Sequence, residues 1–358
     1  MDVTTKLELA NRAPTAEIVT EEEMKNLFET KEHPVHYLGL EISGKLHLGS
    51  LFMNGYKFRD LMEAGCTCQV WLADWHAFIN NKLGGDWEKM KLAGDYYEEA
   101  FKFFAPGVKI RRGSETYHHN DEFWKDVITF SKHVTLNRAT RCLEIMGRTT
   151  KDAQDVAKFF YPSMQAVDIH LLGCDIAHAG TDQRKVHMLA REVYPAMGWV
   201  KPVALHHSIL PGLLEPEKTV PDEGQTEKEA KTIAAKMSKS KPDTAIFIHD
   251  STEVIKKKLS KAYCPPTVED NPILGLAKFI VFREQKEFTI TRPAKFGGDV
   301  TFLSYADLER EYAAGKVHPM DLKNGVGEAI DKAIAPVREH FEKRKEMLAV
   351  YDDVKITR

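Results

Sequence analysis

Two short stretches carry groups suited to a polyphosphate. Residues 35–50 read VHYLGLEISGKLHLGS. The apolar run Val35–Leu40 predicts a buried strand, Ser43 and Gly44 a turn, and His47-Leu48-Gly49-Ser50 the opening of a helix. A strand feeding a glycine-containing helix start offers an anion free backbone N–H groups and the positive end of the helix dipole. His47 adds a donor for phosphate oxygens, and Gly49 lets a ligand approach the backbone closely. The alternative is an ordinary strand–turn–helix with a surface histidine. Residues 236–242, Lys-Met-Ser-Lys-Ser-Lys-Pro, put three lysines and two hydroxyls into seven positions. This predicts a mobile cationic loop in which Lys236 and Lys239 act as point charges and Ser238 as a donor. The alternative there is a solvated lysine run.

A third stretch carries polar groups in an apolar setting. Tyr161, Gln165 and Asp168 stand at i, i+4 and i+7, which lines them along one face of a helix. Tyr161 precedes Pro162 and so marks the start of that helix. The neighbours Met164, Val167, Ile169 and Leu171 are apolar, and a buried polar face needs a ligand or a partner. A solvated polar face is the alternative.

The elements that must position these groups follow from the periodicity. Strands are expected at 68–73, 108–111, 174–178 and 202–208, and helices at 48–64, 86–104, 121–146 and 182–193, whereas residues 1–30 read as helical. Strand–helix alternation argues for a Rossmann-like, doubly wound parallel α/β sheet, with ligands at the carboxyl ends of the strands. The segments HLGS, ADWH and AGTDQ all follow strands and should converge there. Residues 214–234 are charged and read as an exposed insertion. Beyond residue 250 the pattern is helical, apart from a strand-like hairpin at 287–293. The expected division is a catalytic unit (1–213 with 235–250), the insertion (214–234), and a C-terminal, mostly α-helical domain (251–358).

Composition bounds the function. A chain of 358 residues with 43% hydrophobic and 29% charged residues has the profile of a soluble globular protein. Its net charge of −3 gives no global basic signal, so a nucleic-acid partner needs a local patch. Five cysteines, without metal-ligand spacing, read as reduced thiols in a cytoplasmic protein, and neither a signal segment nor a membrane span is expected.

HLGS and KMSKS, in this order and roughly 190 residues apart, resemble the two signatures of class I aminoacyl-tRNA synthetases. KMSKS matches letter for letter; HLGS matches HIGH in three of four positions, with Ser50 where the family usually has its second histidine. The run from Tyr161 to Gly173 together with Gly180-Thr181-Asp182-Gln183 is similar to the tyrosine pocket of archaeal and eukaryotic-type tyrosyl-tRNA synthetases. That resemblance implies Asp168 and Tyr37 at the substrate phenol, Tyr161, Gln165 and Gln183 at its α-amino group, and Gly39 and Glu41 beside them. It implies ATP binding by His47, Gly49, Ser50, Met237, Ser238 and Lys239, with His47, Lys236 and Lys239 supplying charge for catalysis. It implies tRNA contacts at Arg184 and Lys185 (acceptor end), at Cys264 and Pro265 (middle anticodon base), and at Phe296, His318 and Asp321 (first anticodon base). Phe296 as core, or HPMD as a capped helix start, are the alternatives at those places. Expected partners are L-tyrosine, ATP with Mg²⁺ as its substrate complex, tRNA(Tyr) and a second copy of the chain; no tightly bound cofactor, dedicated metal site or membrane is expected. Departures from the pattern are Ser50, Ile42 for a usual proline, the insertion, and Trp71, whose bulk bears on pocket depth. The rivals are a tryptophanyl-tRNA synthetase, a non-catalytic RNA-binding relative, and an unrelated Rossmann-type nucleotidyltransferase.

Overall fold

The computed structural model describes residues 1–147, 155–216, 230 and 235–352. A six-stranded sheet lies at its centre, in the order β1-β6-β5-β2-β3-β4. Its strands are β1 (Thr15–Val19), β2 (Val35–Leu40), β3 (Thr67–Leu72), β4 (Lys109–Arg112), β5 (Ile176–Gly180) and β6 (Val203–His207). All neighbours pair in parallel except β1, which runs antiparallel to β6 at the edge. From β2 the chain winds to β3 and β4 on one side, and later to β5 and β6 on the other. The crevice beyond the carboxyl ends of β2 and β5 is therefore the topological switch point.

Helices cover both faces. They are α1 (Val3–Asn11), α2 (Glu21–Thr30), α3 (Leu48–Glu63), α4 (Asp74–Ile79), α5 (Trp87–Phe104), α6 (Gly113–Tyr117), α7 (Asp121–Lys132), α8 (Leu136–Cys142), α9 (Phe160–Leu171) and α10 (Arg184–Val193). Strand alternation sorts the side chains between two apolar clusters. Leu38 of β2 and Val70 of β3 pack with α3 and α5, whereas Tyr37 and Trp71 face α7, α9 and α10. The expectation of an all-helical segment over 1–30 is corrected by β1. Thr15–Val19 is short and only partly buried, so its own pattern is weak, and pairing with β6 is what makes it a strand. The acidic first turn of α2 is as expected, with Thr20 and Glu23 forming a reciprocal cap.

Beyond residue 250 lie the helices Thr252–Lys261, Pro272–Leu276, Tyr305–Ala313 and Pro319–Glu342, with β7 (Phe288–Ile290) and β8 (Val300–Phe302) between them. The hairpin expected within 287–293 is corrected. Those residues supply one strand only, and its antiparallel partner is β8. Pro293 ends the run, and Gly297 and Gly298, both at positive φ, turn the chain back. The apolar cluster on the α3 side continues into Val326, Ile330, Ile334 and Phe341 of the last long helix. Tyr96 of α5 meets Phe341 at 5.1 Å between ring centres, and Arg283 pairs with Asp60 of α3 at 2.8 Å. Of the expected insertion, all but Leu214, Glu215, Pro216 and Ala230 lies outside the described residues. No helix among the described residues is long and apolar enough to cross a membrane.

Candidate active site

A cleft of about 430 Å³ opens at the switch point, a volume suited to small ligands. Its inner end is built from β2, β3 and α9. Alternation along β2 sends Tyr37 and Gly39 to the same face, and a methyl group at Gly39 would lie 2.5 Å from the Tyr37 Oη. Glycine thus leaves the room that the phenol occupies. Asp168, from the third turn of α9, is 0% exposed yet lines the cleft. Its carboxylate accepts from Trp71 Nε1–H at 3.0 Å and from the Tyr117 hydroxyl. His76 Nε2 stands 3.7 Å from the same carboxylate. Burial pushes the Asp168 carboxyl well up, against those two hydrogen bonds, which favour its charge. Burial, then the charge of Asp168, keeps Tyr37 a phenol.

Trp71, Tyr117 and His76 are the residues that sequence reasoning missed as partners of Asp168. Trp71 was legible in part, since it sits opposite Gly39 in the parallel register and shares its face. His76 lies in the ADWH segment that was expected at the strand ends. Nothing local marks Tyr117, which reaches the site from α6 and stacks on Phe123 at 4.0 Å.

The middle of the cleft gathers acceptors. Tyr161, Gln165 and Asp168 all line it, so the expected helical face is formed. Gln165 Nε2 donates to Gln183 Oε1 at 3.2 Å, and Gln183 Nε2 to the Ile145 carbonyl at 2.9 Å. Gln165 Oε1 is buried without a partner, an acceptor awaiting a donor. The Tyr161 hydroxyl lies 3.4 Å from Glu41 Oε1, which also accepts from Asn80 Nδ2 at 2.7 Å; Lys82 Nζ stands 3.4 Å from Glu41 Oε2. Asn80 and Lys82 were not anticipated.

The outer end carries the two phosphate-type motifs. His47 caps α3. Ser50 Oγ accepts from the His47 N–H at 2.8 Å and donates to the His47 carbonyl at 3.0 Å. The hydroxyl expected to reach a phosphate thus closes the helix start instead. Leu48 N–H, expected to be free, is taken by the Ile246 carbonyl at 3.0 Å. His47 was expected to carry charge. Burial, then the charges of Lys239 and Lys236, lower its pKa to about 3, so the ring is neutral, with Nδ1 buried and unpartnered. Gly49 packs beside this ring, 3.1 Å from its Cε1 counted from where a methyl would sit.

The KMSKS segment was expected to be loose and is instead held. Met237 is buried, Lys236 bridges to Pro211, and Ser238 N–H donates to Thr244 Oγ1 at 3.2 Å. Lys239 Nζ donates to Ser43 Oγ at 3.1 Å and to the Tyr97 hydroxyl, beside the turn after β2. Lys236 Nζ pairs with Asp182 Oδ2 at 2.8 Å. Burial, the largest single influence, works against the charge of Asp182, but Lys236 together with His207 and a backbone N–H holds the carboxyl below its usual range. Among the described residues no group of three or more His, Cys, Asp or Glu could hold a metal ion.

The segments expected to meet RNA lie outside the cleft. At the start of α10, Arg184 pairs with Glu17 and Lys185 with Glu144, each at 2.6 Å. Cys264 Sγ is 3.3 Å from Tyr312 Oη, which donates to the Pro265 carbonyl at 2.7 Å. Phe296 is 60% exposed, which excludes the core alternative. His318 caps the last long helix, its Nδ1 accepting from Met320 N–H at 3.1 Å, and Asp321 lies in that helix's first turn. The capped-helix alternative is therefore realised, with the His318 ring still exposed. Arg292 donates to the Gly298 carbonyl at 2.6 Å and the Lys316 carbonyl at 3.2 Å, tying the Phe296 turn beside the His318 segment.

The family model for tRNA synthetases class I (W and Y) matches residues 29–221 and 229–335. The tyrosine–tRNA ligase of Thermococcus gammatolerans is 48% identical over 380 residues, covering 100% of both chains. That of Thermococcus sibiricus is 47% identical over the same span, again with full coverage. The solved structure of the Pyrococcus horikoshii tyrosyl-tRNA synthetase complexed with L-tyrosine superposes with a TM-score of 0.90, at 43% identity over 98% of this chain and 99% of that one. Fold, cleft and full-length kinship agree, and the chain belongs to the class I tRNA synthetases, among the tyrosine–tRNA ligases.

Proposed function

We propose that the cleft activates L-tyrosine with ATP at its outer end and passes the tyrosyl group to tRNA(Tyr). The observation that carries this reading is the fully buried Asp168 facing the cleft between Trp71 and Tyr117. A carboxyl held there accepts the substrate's phenolic O–H, with Tyr37 beside it. A substrate without that hydroxyl leaves a remaining lone pair of the buried carboxylate unfilled and is disfavoured. Gln165 Oε1, Tyr161 Oη and Gln183 take the α-ammonium, with Glu41 and Gly39 lining the same wall. The substrate carboxylate then lies toward the outer end, where ATP sits.

The carboxylate attacks the α-phosphate in line, giving tyrosyl-adenylate and pyrophosphate. The terminal ribose hydroxyl of the tRNA next attacks the adenylate carbonyl and releases AMP. No protein nucleophile is required in either step, so catalysis rests on positioning and on charge stabilisation of the phosphate transition state. Lys236 and Lys239 supply the charge, and each must exchange its present partner, Asp182 or Tyr97 and Ser43, for phosphate oxygens. His47 contributes a neutral N–H donor. Gly49, Met237 and Ser238 shape the wall, with Ser50 fixing the helix start. Mg²⁺ enters on the ATP phosphates.

In the same reading, residues 1–213 with 235–250 are the catalytic unit, 214–234 an insertion, and 251–358 the anticodon-recognition unit. Arg184 and Lys185 meet the acceptor end, Cys264 and Pro265 the middle anticodon base, and Phe296, His318 and Asp321 the first. The exposed Phe296 and His318, on segments that Arg292 ties together through the Gly298 and Lys316 carbonyls, support stacking on an unpaired base. A homodimer and a cytoplasmic setting belong to this reading through the resemblance and the five free cysteines. The test is ATP–pyrophosphate exchange with tyrosine, tryptophan and phenylalanine, followed by charging of a tRNA(Tyr) transcript. Exchange that prefers tryptophan, or is indifferent to the hydroxyl, would refute it.

A further inference from the structure

Two strings of buried histidines cross the sheet, and the reaction above uses neither. On the α3 face, His36 of β2, His178 of β5 and His207 of β6 stand in series. His36 Nε2 lies 3.1 Å from His178 Nδ1, and His178 Nε2 lies 2.8 Å from His207 Nδ1. In the other string, His187 Nδ1 is 3.0 Å from His206 Nε2, and His206 Nδ1 is 2.8 Å from Glu17 Oε1.

Burial holds His36 at about 3 and His207 at about 4, and takes His178 well below its usual range, so all three rings are neutral. A neutral imidazole has one N–H and one lone-pair nitrogen, so such a series runs in a single direction. His36 Nδ1 is buried without a partner and reveals that direction. If His207 donated toward His36, that nitrogen would carry a stranded N–H; in the opposite sense it is only an unused lone pair. Stranded buried N–H groups are the rarer of the two. The second string supports the rule. Glu17 can only accept, so His206 Nδ1 donates to it and His206 Nε2 accepts from His187 Nδ1–H. The nitrogen left buried and unpartnered there, His187 Nε2, is again the lone pair.

Run in that sense, the series leaves the proton of His207 on Nε2, and His207 lines the cleft. A methyl group at Gly180 would lie 3.5 Å from His207 Nε2 and 2.8 Å from Asp182 Oδ1. Both side chains therefore border one space that only glycine leaves open, in the half of the cleft that holds Lys236. We propose that His36 and His178 are positioning residues that lock His207 as an Nε2–H donor to an oxygen of the nucleotide. This rests on the reading of that half as the ATP end.

Two experiments test it. In ligand-free protein labelled with ¹⁵N-histidine, two-bond ¹⁵N–¹H correlations should show the Nε2-protonated tautomer for all three rings. A Nδ1-protonated or cationic His207 overturns the lock. In tyrosine-dependent pyrophosphate exchange, His207→Leu should raise KM for ATP about three- to tenfold, the worth of one neutral hydrogen bond, and leave KM for tyrosine unchanged. His207→Gln, whose amide N–H can stand where Nε2–H stood, should recover most of that loss. Equal loss in both variants, or an unchanged KM for ATP, overturns the donor role. Absence of exchange by the parent chain overturns the reading of the cleft, and the nucleotide with it, whereas the spectrum tests the lock by itself.

Discussion

The inner end of the cleft and the Phe296–His318 face follow opposite plans. Around Asp168, the candidate side chains are buried and bonded to other side chains before any ligand arrives. Around Phe296, the aromatic rings are exposed, and what holds them in place is bonding to backbone groups. The first plan suits a small substrate of fixed shape, for which unpaired buried groups penalise the wrong ligand. The second suits a large, deformable partner that brings its own surface to be covered.

The comparison can be broken at its strongest point. Asp168→Ala should cut kcat/KM for tyrosine in pyrophosphate exchange by on the order of 10³, because it also strands Trp71 Nε1–H and the Tyr117 hydroxyl. A loss under tenfold would mean that the floor is not the phenol site. Lys239→Ala should lower kcat for exchange by about 10²–10³ with little change in KM for tyrosine, as expected for a group acting on the transition state. Near-normal exchange would remove it from catalysis. On the outer face the effects should be smaller and of another kind. Phe296→Ala should reduce kcat/KM for tRNA charging by roughly tenfold, the worth of one stacked base, while exchange and thermal stability stay unchanged because the ring is exposed. Impaired exchange would show that the two regions are not separable.

Acid gives the mildest contrast. His36, His47 and His76 sit at about 3 and His207 at about 4, in each case chiefly through burial. The unfolded chain, with histidines near 6.5, binds more protons than the folded one between these values, so stability rises with pH across that window. The stabilisation is complete above pH 6.5 and is lost as pH falls toward 3. Melting temperature should therefore decline steadily from pH 6.5 to pH 5; a melting temperature that stays flat across that range would contradict this.

Much of the molecule was legible along the chain. The β2 strand, the α9 face and both phosphate-type motifs come from local periodicity and residue chemistry, which short-range sterics enforce whatever the fold around them. β1 was hidden because a partly buried edge strand has little pattern of its own. The partners of the functional groups were also hidden. Trp71 and Tyr117 reach Asp168 from 97 and 51 residues away, and Lys239 reaches Ser43 across 196. Charge state was hidden for the same reason. His47 would titrate near 6.5 in a peptide but is held down to about 3 here, because protonation depends on the water and charges that packing removes or brings near. The sequence by itself determined which chemical groups the chain owns and which face of each element carries them. Only the tertiary structure decided which of those groups meet, which are desolvated, and in what protonation state they wait, since these depend on contacts between segments that no local pattern encodes.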